Sequence, residues 1–518
     1  MSKSGATRRQ VLAGSLAAVA VPALGSVRPP IVDAPAGRML GERLGSGVTR
    51  FLGLRYGRAE RFAAPSAEMR LPGVTRATAF APVAMQRSKR GPQSEDCLFL
   101  NIWSPAAEPG AALPVMVYIH GGAYAFGSGT DPINDGERLA ERGVVVVTVN
   151  HRLNAFGYLY LARLDPRFPD SGNTGQLDLV LALRWVRDNI AAFGGDPRRI
   201  TTFGDSGGGA KITTLLAMSS ASGLIHRAAT MSGQQVMASG PIAATRRARA
   251  VLIKLGIAER DSGQLLTLAP ERLLEGVDAV DPILGGPVYF GPVVDQRSLR
   301  RHPFWPDAHP LSLAVPMMAG NARDEMRAFS DPDGAFVRSM SWNNVGERIA
   351  DELPTDILPE KIVAEYRRHL PSASAADVYF AATTAGRSWR PQLEVAEARA
   401  RAGRPAWVYQ VDFTSRAEPR RGAFHCIDVP LVFGTFDKPG ADIGEDAAVS
   451  LMSRVIQDCF VAFAATGQPA LTGAAEWPIY DLCHRSTMIF DSNTRVEQDP
   501  RRWQRRLFAD APYRQPGS

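Results

Sequence analysis

Residues 200–209 read ITTFGDSGGG, and they give the strongest indication of the fold. Its first four residues form a short apolar run, which predicts a buried strand. The run continues into Gly204-Asp205-Ser206-Gly207-Gly208, a G-x-S-x-G pattern, and then into a predicted helix from Ala210 to Ala217. Glycines permit a sharp turn between strand and helix that would crowd any Cβ atom. The pattern therefore predicts that Ser206 is lifted clear of the strand as a nucleophile, beside a helix N-terminus.

Alternating strands and helices around this stretch predict a doubly wound α/β fold with a mostly parallel central sheet flanked by helices. Leu113 to Ile119 and Val144 to Val149 are β-branched runs typical of buried parallel strands. Residues 240–310 and 325–400 are richer in polar and helix-forming residues. We expect them to be helical, cap-like insertions within a single domain that spans residues 26–518.

The composition excludes several classes of protein. The chain has 518 residues, of which 45% are hydrophobic and 21% are charged, so disorder, collagen and coiled coil are excluded. The formal net charge of +7 comes from scattered residues, which argues against a nucleic-acid partner. No metal-binding or nucleotide-binding motif is found, so we expect no cofactor. Four cysteines in a chain of this length do not make a disulfide scaffold.

Residues 1–25 are predicted to be an export signal. The pair Arg8-Arg9 precedes an apolar run from Val11 to Leu24, which is too short to span a bilayer. Ala23-Leu24-Gly25 is a small-x-small cleavage pattern. These features predict a twin-arginine signal and a periplasmic or secreted protein, the alternative being a frayed helix with a chance arginine pair. Removal would lower the net charge from +7 to +4. We expect no membrane partner after signal removal.

A second glycine-rich loop strengthens the nucleophile hypothesis. His120-Gly121-Gly122-Ala123-Tyr124 follows the predicted strand that ends at Ile119. Small residues there allow backbone N–H groups to point at an oxyanion. Taken alone, the serine pattern also suits a plain glycine-rich turn or a phosphate cradle. If neither segment were part of an active site, a plain glycine-rich turn would have to occur twice, in the chain order that a serine hydrolase requires.

The base and the acid are sought after Ser206 in the chain. His425 is favoured as the base because it lies in a loop after the predicted strand Ala406 to Val411. Three other downstream histidines lie in surface-like sequence: His302, His309 and His369. His484 lies in a turn before a predicted strand near the C-terminus. Asp324 and Glu325 follow a predicted strand from Ala314 to Met318. Spacing does not choose between these two acids, and an acid pair there also suits the N-terminus of a helix.

Several further segments match the pattern of one enzyme family. Residues 94–101 read SEDCLFLN, close to the signature E-D-C-L-x-L-N. Other matching segments are residues 51–56, 150–153, 191–197, 223–228 and 477–478. On these motifs the chain resembles the type-B carboxylesterases, the α/β-hydrolase group that contains para-nitrobenzyl esterases, liver carboxylesterases and cholinesterases. The resemblance covers residues 35–510.

The resemblance implies hydrolysis of carboxylic esters through an acyl-enzyme. It selects Glu325 as the acid that orients the base. The implied triad is Ser206, His425 and Glu325, and the implied oxyanion donors are the N–H groups of Gly122, Ala123 and Gly207. The expected partner is a small-molecule ester, and the expected assembly is a monomer or small homo-oligomer. Alternatives are an amide, carbamate or polyketide-ester hydrolase on the same triad and, more remotely, a non-catalytic neuroligin-like binding module.

The chain departs from the family pattern near the serine. The usual elbow is G-E-S-A-G, whereas Asp205 and Gly207 flank the serine here. The shorter Asp205 is expected to change any link toward His425 or Ser232. Tyr124 and Phe126 are candidate pocket residues beside the oxyanion loop.

The family pattern also implies scaffold features. It implies two ion pairs, Arg61 with Glu95 and Arg152 with Asp178. No cysteine precedes Cys97, so the family's first disulfide should be absent. Pairing among Cys426, Cys459 and Cys483 is left open, and Cys426 is either a packing residue or a reactive thiol.

Overall fold

A large mixed sheet forms the centre of the protein. The computed structural model describes residues 30–88, 91–471 and 476–518, so the predicted signal segment lies outside the described residues. Within these ranges the central sheet is 11-stranded. Its strands are β1 Glu42–Arg43, β2 Thr49–Arg55, β3 Phe99–Ser104, β4 Leu113–Ile119, β5 Val145–Val149, β6 Gly195–Asp205, β7 Arg227–Met231, β8 Met317–Ala322, β9 Ala406–Val411, β10 Ser486–Phe490 and β11 Arg495–Gln498.

Parallel strands fill the middle of this sheet. The spatial order is β11-β10-β9-β8-β7-β6-β4-β5-β3-β2-β1. Pairing among β4 to β10 is parallel, and the strands at the two ends are antiparallel. Because parallel strands share one carboxyl edge, the loops after β4, β6, β7, β8 and β9 open at the same edge. These five loops carry the candidate site residues.

Helices cover both faces of the sheet. In the described ranges they are α1 Glu137–Ala140, α2 Asn154–Tyr158, α3 Thr174–Asn189, α4 Gly207–Leu215, α5 Pro241–Leu255, α6 Pro270–Glu275, α7 Ala335–Arg338, α8 Val345–Glu352, α9 Pro359–His369, α10 Ala375–Thr383, α11 Arg390–Arg401, α12 Asp428–Phe433, α13 Ala447–Thr466 and α14 Arg502–Ala509. Three short sheets of the described residues lie outside the main one: Ile31–Ala34, Gly37–Leu40 and Val74–Arg76; Gly57–Arg58 and Ser66–Ala67; Val83–Ala84 and Gln93–Ser94. Residues 240–310 contain α5 and α6, and residues 325–400 contain most of α7 to α11.

Strand β4 contributes to two hydrophobic cores, one on each face of the sheet. Val115, Val117 and Ile119 pack into the core that also contains α3 and α4. Met116 and Tyr118 pack into the opposite core with α12 and α13. Alternating side chains of a strand point to opposite faces, so a strand covered on both faces must be apolar throughout. This explains the continuous apolar run that predicted the strand.

Helix α13 is long and has a strongly apolar sequence. Among the described residues it is the one helix that is long and apolar enough to cross a membrane, by length and composition only. Half of its most apolar window is buried inside the structure, and Phe460 and Phe463 are fully buried in the core beside the sheet. Its composition is that of a helix packed on the core.

Strand β8 differs from its prediction. The sequence predicted a strand from Ala314 to Met318, but β8 runs from Met317 to Ala322. Pro316 has no N–H to donate to a neighbouring strand, and the residues before it form a 3-10 turn, Pro310–Ala314. The strand therefore begins later, and only two residues separate its end from Glu325.

Both ion pairs implied by the family pattern are confirmed. Arg152 and Asp178 are 5% and 0% exposed, and two nitrogens of the guanidinium donate to the carboxylate at 2.9 Å and 2.7 Å. Arg61 donates from Nε to Glu95 at 2.6 Å. A buried pair resists screening, and removing one partner leaves an uncompensated charge. The Arg152–Asp178 pair therefore joins the loop after β5 to helix α3.

Replacement of Asp178 by alanine should destabilise the fold. Loss of one partner from a buried pair costs about 3–5 kcal/mol, because the other charge is left without compensation. The matched control is Glu259→Ala, which breaks a half-exposed pair with Arg249 and should cost less than about 1 kcal/mol. Urea denaturation of both variants measures the difference. Equal losses in the two variants would contradict the assignment.

Candidate active site

The turn at Ser206 has the backbone conformation of a strained elbow. Ser206 lies between β6 and α4 with φ 51° and ψ −126°, a region that residues with a Cβ rarely adopt. Its N–H donates to the carbonyl of Met231 in β7 at 2.7 Å. The surrounding structure thus holds a conformation that local preferences disfavour.

Glycines around the elbow allow very close backbone contact. A Cβ atom on Gly208 would lie 1.9 Å from the carbonyl oxygen of Ile119, and a Cβ on Gly207 would lie 2.8 Å from the nitrogen of Ala123. The family pattern has alanine where this chain has Gly207. A methyl group at Gly207 would therefore meet the backbone of Ala123 and Tyr124, and it would require a shift of that backbone.

A cavity of about 180 Å³ opens at this edge of the sheet. The predicted site residues that line it are Ala123, Tyr124, Ser206, Gly207, Ser232, Glu325 and His425. Gly122 and Phe126 are not among its lining residues in the described part of the chain. Gly122 makes the preceding turn, with φ 91°. The N–H of Phe126 donates to the Gly122 carbonyl at the end of this turn, the residue is 45% exposed, and its place beside the substrate stays a prediction.

Glu325 and His425 form a buried pair. A carboxylate oxygen of Glu325 contacts Nδ1 of His425, which assigns the proton to Nδ1 and leaves Nε2 as an acceptor. Glu325 is fully buried, and its other oxygen accepts from Ser232 Oγ at 2.6 Å and from the N–H of Ala322 at 2.7 Å. Asp324 instead accepts from the backbone of the His425 loop.

This pair raises the pKa of His425. Burial of the ring lowers its pKa, but the negative charge of Glu325 and the hydrogen bond to it outweigh burial. The pKa of His425 therefore lies above its usual value near 6.5. Glu325 stabilises the charged imidazolium as well as the orientation of the ring.

Asp205 connects three parts of the site. One of its oxygens accepts from Tyr118 Oη at 2.5 Å and from the N–H of Gly121 at 3.1 Å. The other accepts from the thiol of Cys426 at 2.9 Å. Burial raises the pKa of the Cys426 thiol well above its usual value. Cys426 is thus a protonated hydrogen-bond donor, and its reactive-thiol interpretation loses its physical basis.

The cysteines form no disulfide. Cys97, Cys426, Cys459 and Cys483 are all free. The expected absence of the first family bridge is therefore confirmed, and the open question of the other three cysteines is answered. Among the described residues there is also no group of three His, Cys, Asp or Glu side chains that could hold a metal ion.

Three residues near the site had no place in the sequence predictions. Tyr289 and Gln515 line the cavity from segments far from the motifs. Lys211 on α4 is 0% exposed, and its Nζ donates to the carbonyl of His120 at 3.1 Å. Its position five residues after Ser206, inside an apolar helix, was the one available signal.

Comparisons with known proteins agree with this geometry. The model of the carboxylesterase family matches residues 28–508. The chain belongs to the carboxylesterase family. It is 35% identical to the para-nitrobenzyl esterase of Bacillus subtilis over 479 residues, 88% of this chain and 94% of the relative. It is 30% identical to the phenmedipham hydrolase of Pseudarthrobacter oxydans, over 91% of this chain and 97% of the relative.

The solved structures extend the match to the fold. A carboxylesterase of Geobacillus stearothermophilus superimposes with a TM-score of 0.83 at 35% identity, covering 92% of this chain and 99% of that one. The predicted α/β-hydrolase fold is confirmed, and this carboxylesterase is a carboxylic-ester hydrolase.

The raised pKa of His425 predicts the pH dependence of this carboxylesterase. A base must be neutral to accept a proton, so kcat/KM should rise with pH through a pKa above 6.5. Glu325→Gln removes the charge that raises this pKa, so the rise should move to lower pH while the plateau falls, on the order of 10⁴-fold. Asp324→Asn is the matched control and should leave the rise in place. An unchanged rise in Glu325→Gln would contradict the assignment.

Proposed function

We propose that this carboxylesterase hydrolyses small-molecule esters through an acyl-enzyme on Ser206. The observation that carries the proposal is the buried contact between Glu325 and Nδ1 of His425, beside Ser206 in one cavity. With Nδ1 committed to the carboxylate, Nε2 is the nitrogen available to a serine hydroxyl. A binding module has no need of this costly buried charge.

The first half of the reaction forms the acyl-enzyme. His425 takes the proton of Ser206 as the serine oxygen attacks the ester carbonyl, and Glu325 stabilises the resulting imidazolium. His425 then gives the proton to the departing alcohol. In the second half, His425 takes a proton from water as the water oxygen attacks the acyl group, and it then gives the proton to the Ser206 oxygen as the bond to the acyl group breaks and the carboxylic acid leaves.

The oxyanion is proposed to bind three backbone N–H groups, those of Gly122, Ala123 and Gly207. Gly207 begins α4, where N–H groups have no partner within the helix, and it approaches Ala123 too closely to accommodate a Cβ. Fixed N–H donors stabilise the charge that develops on the carbonyl oxygen, and each is worth about 10²–10³ in rate. The close approach of Gly207 to Ala123 supports the proposal that both residues donate to the same oxyanion.

The cavity favours small esters. Its volume of about 180 Å³ lies below the range of about 300–1,000 Å³ typical of pockets for drug-sized ligands. Tyr124, Tyr289 and Phe329 contribute aromatic surface to its lining. We infer that short acyl chains are accommodated better than long ones.

Hydrolysis of p-nitrophenyl esters from acetate to palmitate tests the proposal. The wild type should cleave the short esters fastest, and Ser206→Ala should lose at least about 10⁴-fold in kcat, because no other group replaces the nucleophile. Ser66→Ala, an exposed serine in a short strand, is the control and should match the wild type. Circular dichroism verifies that each variant is folded.

Two outcomes would change the proposal. No turnover of any ester by folded wild type, or full activity in Ser206→Ala, would overturn it. Faster cleavage of p-nitroacetanilide than of p-nitrophenyl acetate would replace ester by amide as the substrate class.

A further inference from the structure

One peptide group beside the nucleophile is held between two buried charges. Lys211 Nζ donates to the carbonyl oxygen of His120 at 3.1 Å. An oxygen of Asp205 accepts from the N–H of Gly121 at 3.1 Å. The carbonyl of His120 and the N–H of Gly121 belong to the same peptide group. The positive charge therefore meets the negative end of its dipole, and the negative charge meets the positive end.

Both charged residues belong to the elements that carry Ser206. Asp205 is the last residue of β6, and Lys211 lies one turn into α4. The peptide group belongs to the loop after β4. These two side chains thus connect the backbone of the nucleophile to the start of the oxyanion loop.

Lys211 is an unfavourable residue at this position, because burying an ammonium group costs free energy. Lys211 is fully buried, and its Nζ donates to a backbone carbonyl oxygen. Its ammonium lies 5.0 Å from the ring centroid of Tyr124. Burial lowers the pKa of Lys211 to about 7, against the opposing effect of Asp205. The neutral amine also carries N–H groups, so the hydrogen bond to His120 persists in either protonation state.

The loop that follows needs such support. Gly122, Ala123 and Tyr124 have φ values of 91°, 49° and 63° in succession. For residues with a Cβ, this left-handed conformation is disfavoured, because Cβ comes too close to the following carbonyl oxygen. Contacts from outside the loop must therefore hold it in the conformation that aims its N–H groups at the substrate.

We propose that Lys211 and Asp205 are positioning residues that clamp the peptide group between His120 and Gly121 and thereby fix the oxyanion loop against Ser206. This proposal rests on the proposed function. The hydrophobic isostere methionine would fill the space of Lys211 and remove its N–H donors and charge. Asparagine would keep the size of Asp205 and remove its charge.

A double-mutant cycle tests the clamp. Lys211→Met and Asp205→Asn should each lower kcat by about 10–10³-fold, because the oxyanion donors lose their alignment, with KM changed less than about threefold. The double variant should be impaired little more than the worse single variant, because the two residues act on one peptide group. Lys254→Met, an exposed lysine on α5, is the matched control and should behave as the wild type.

Two readouts separate positioning from a merely structural role. Inhibition by a trifluoromethyl ketone, which forms an oxyanion on the serine, should weaken by the same factor as kcat/KM. The Tm of Lys211→Met should equal or exceed that of the wild type, because an unpaired buried charge is removed. Hydrogen exchange of residues 120–124 should accelerate in both single variants, a measurement that needs no activity.

The outcomes distinguish the clamp from the proposed function. An active wild type whose single variants keep kcat and trifluoromethyl ketone affinity would overturn the clamp alone. Fully multiplicative effects in the double variant, or unchanged exchange at residues 120–124, would also overturn it. A folded wild type that neither turns over esters nor binds the trifluoromethyl ketone would overturn both proposals.

Discussion

The site depends on direct contact between the backbones at the ends of neighbouring strands, with no side chain between them. A Cβ on Gly204 would lie 2.4 Å from the carbonyl oxygen of Ile119, and a Cβ on Gly233 would lie 1.6 Å from that of Ser206. The ends of β4, β6 and β7 therefore approach one another as bare main chain. This direct backbone approach brings the loop after β4, the turn at Ser206 and the loop of Ser232 together.

Two buried carboxylates, those of Glu325 and Asp205, also hold the loops together at this edge of the sheet. Glu325 contacts His425 of the loop after β9, and it accepts hydrogen bonds from Ser232 of the loop after β7 and from Ala322 at the end of its own strand, β8. Asp205 likewise accepts from β4, from the oxyanion loop and from the loop of the base. A buried carboxylate is tolerated only where donors compensate it. Because those donors come from different loops, each carboxylate also fixes how the loops lie relative to one another.

Most of the sheet could be predicted because its strands are continuous apolar runs with clear ends. The predicted strands Leu113 to Ile119 and Ala406 to Val411 coincide with β4 and β9. The predicted start of β8 was wrong because Pro316 interrupts a run that otherwise reads as strand. The G-x-S-x-G motif around Ser206 predicts the turn at Ser206 because a predicted strand precedes it and a predicted helix follows it.

The rest of the site depends on tertiary contacts that no local pattern encodes. Spacing left Asp324 and Glu325 equivalent, and it was the family resemblance that selected Glu325, whose full burial and contact with His425 exist only in the folded chain. Phe126 is a candidate pocket residue on its aromatic character alone, which does not determine the direction of a side chain at a turn. Lys211 went unnoticed because lysine is usually exposed, and its burial follows from the packing of α4 beneath the oxyanion loop.

Covalent labelling tests the central claim most directly. A fluorophosphonate reacts with a serine that a neighbouring base activates, and the adduct mimics the tetrahedral intermediate. The account predicts one adduct per chain, located by peptide mass spectrometry on Ser206, with no labelling of Ser206→Ala. Absence of an adduct in folded protein, or an adduct on another residue, would contradict it.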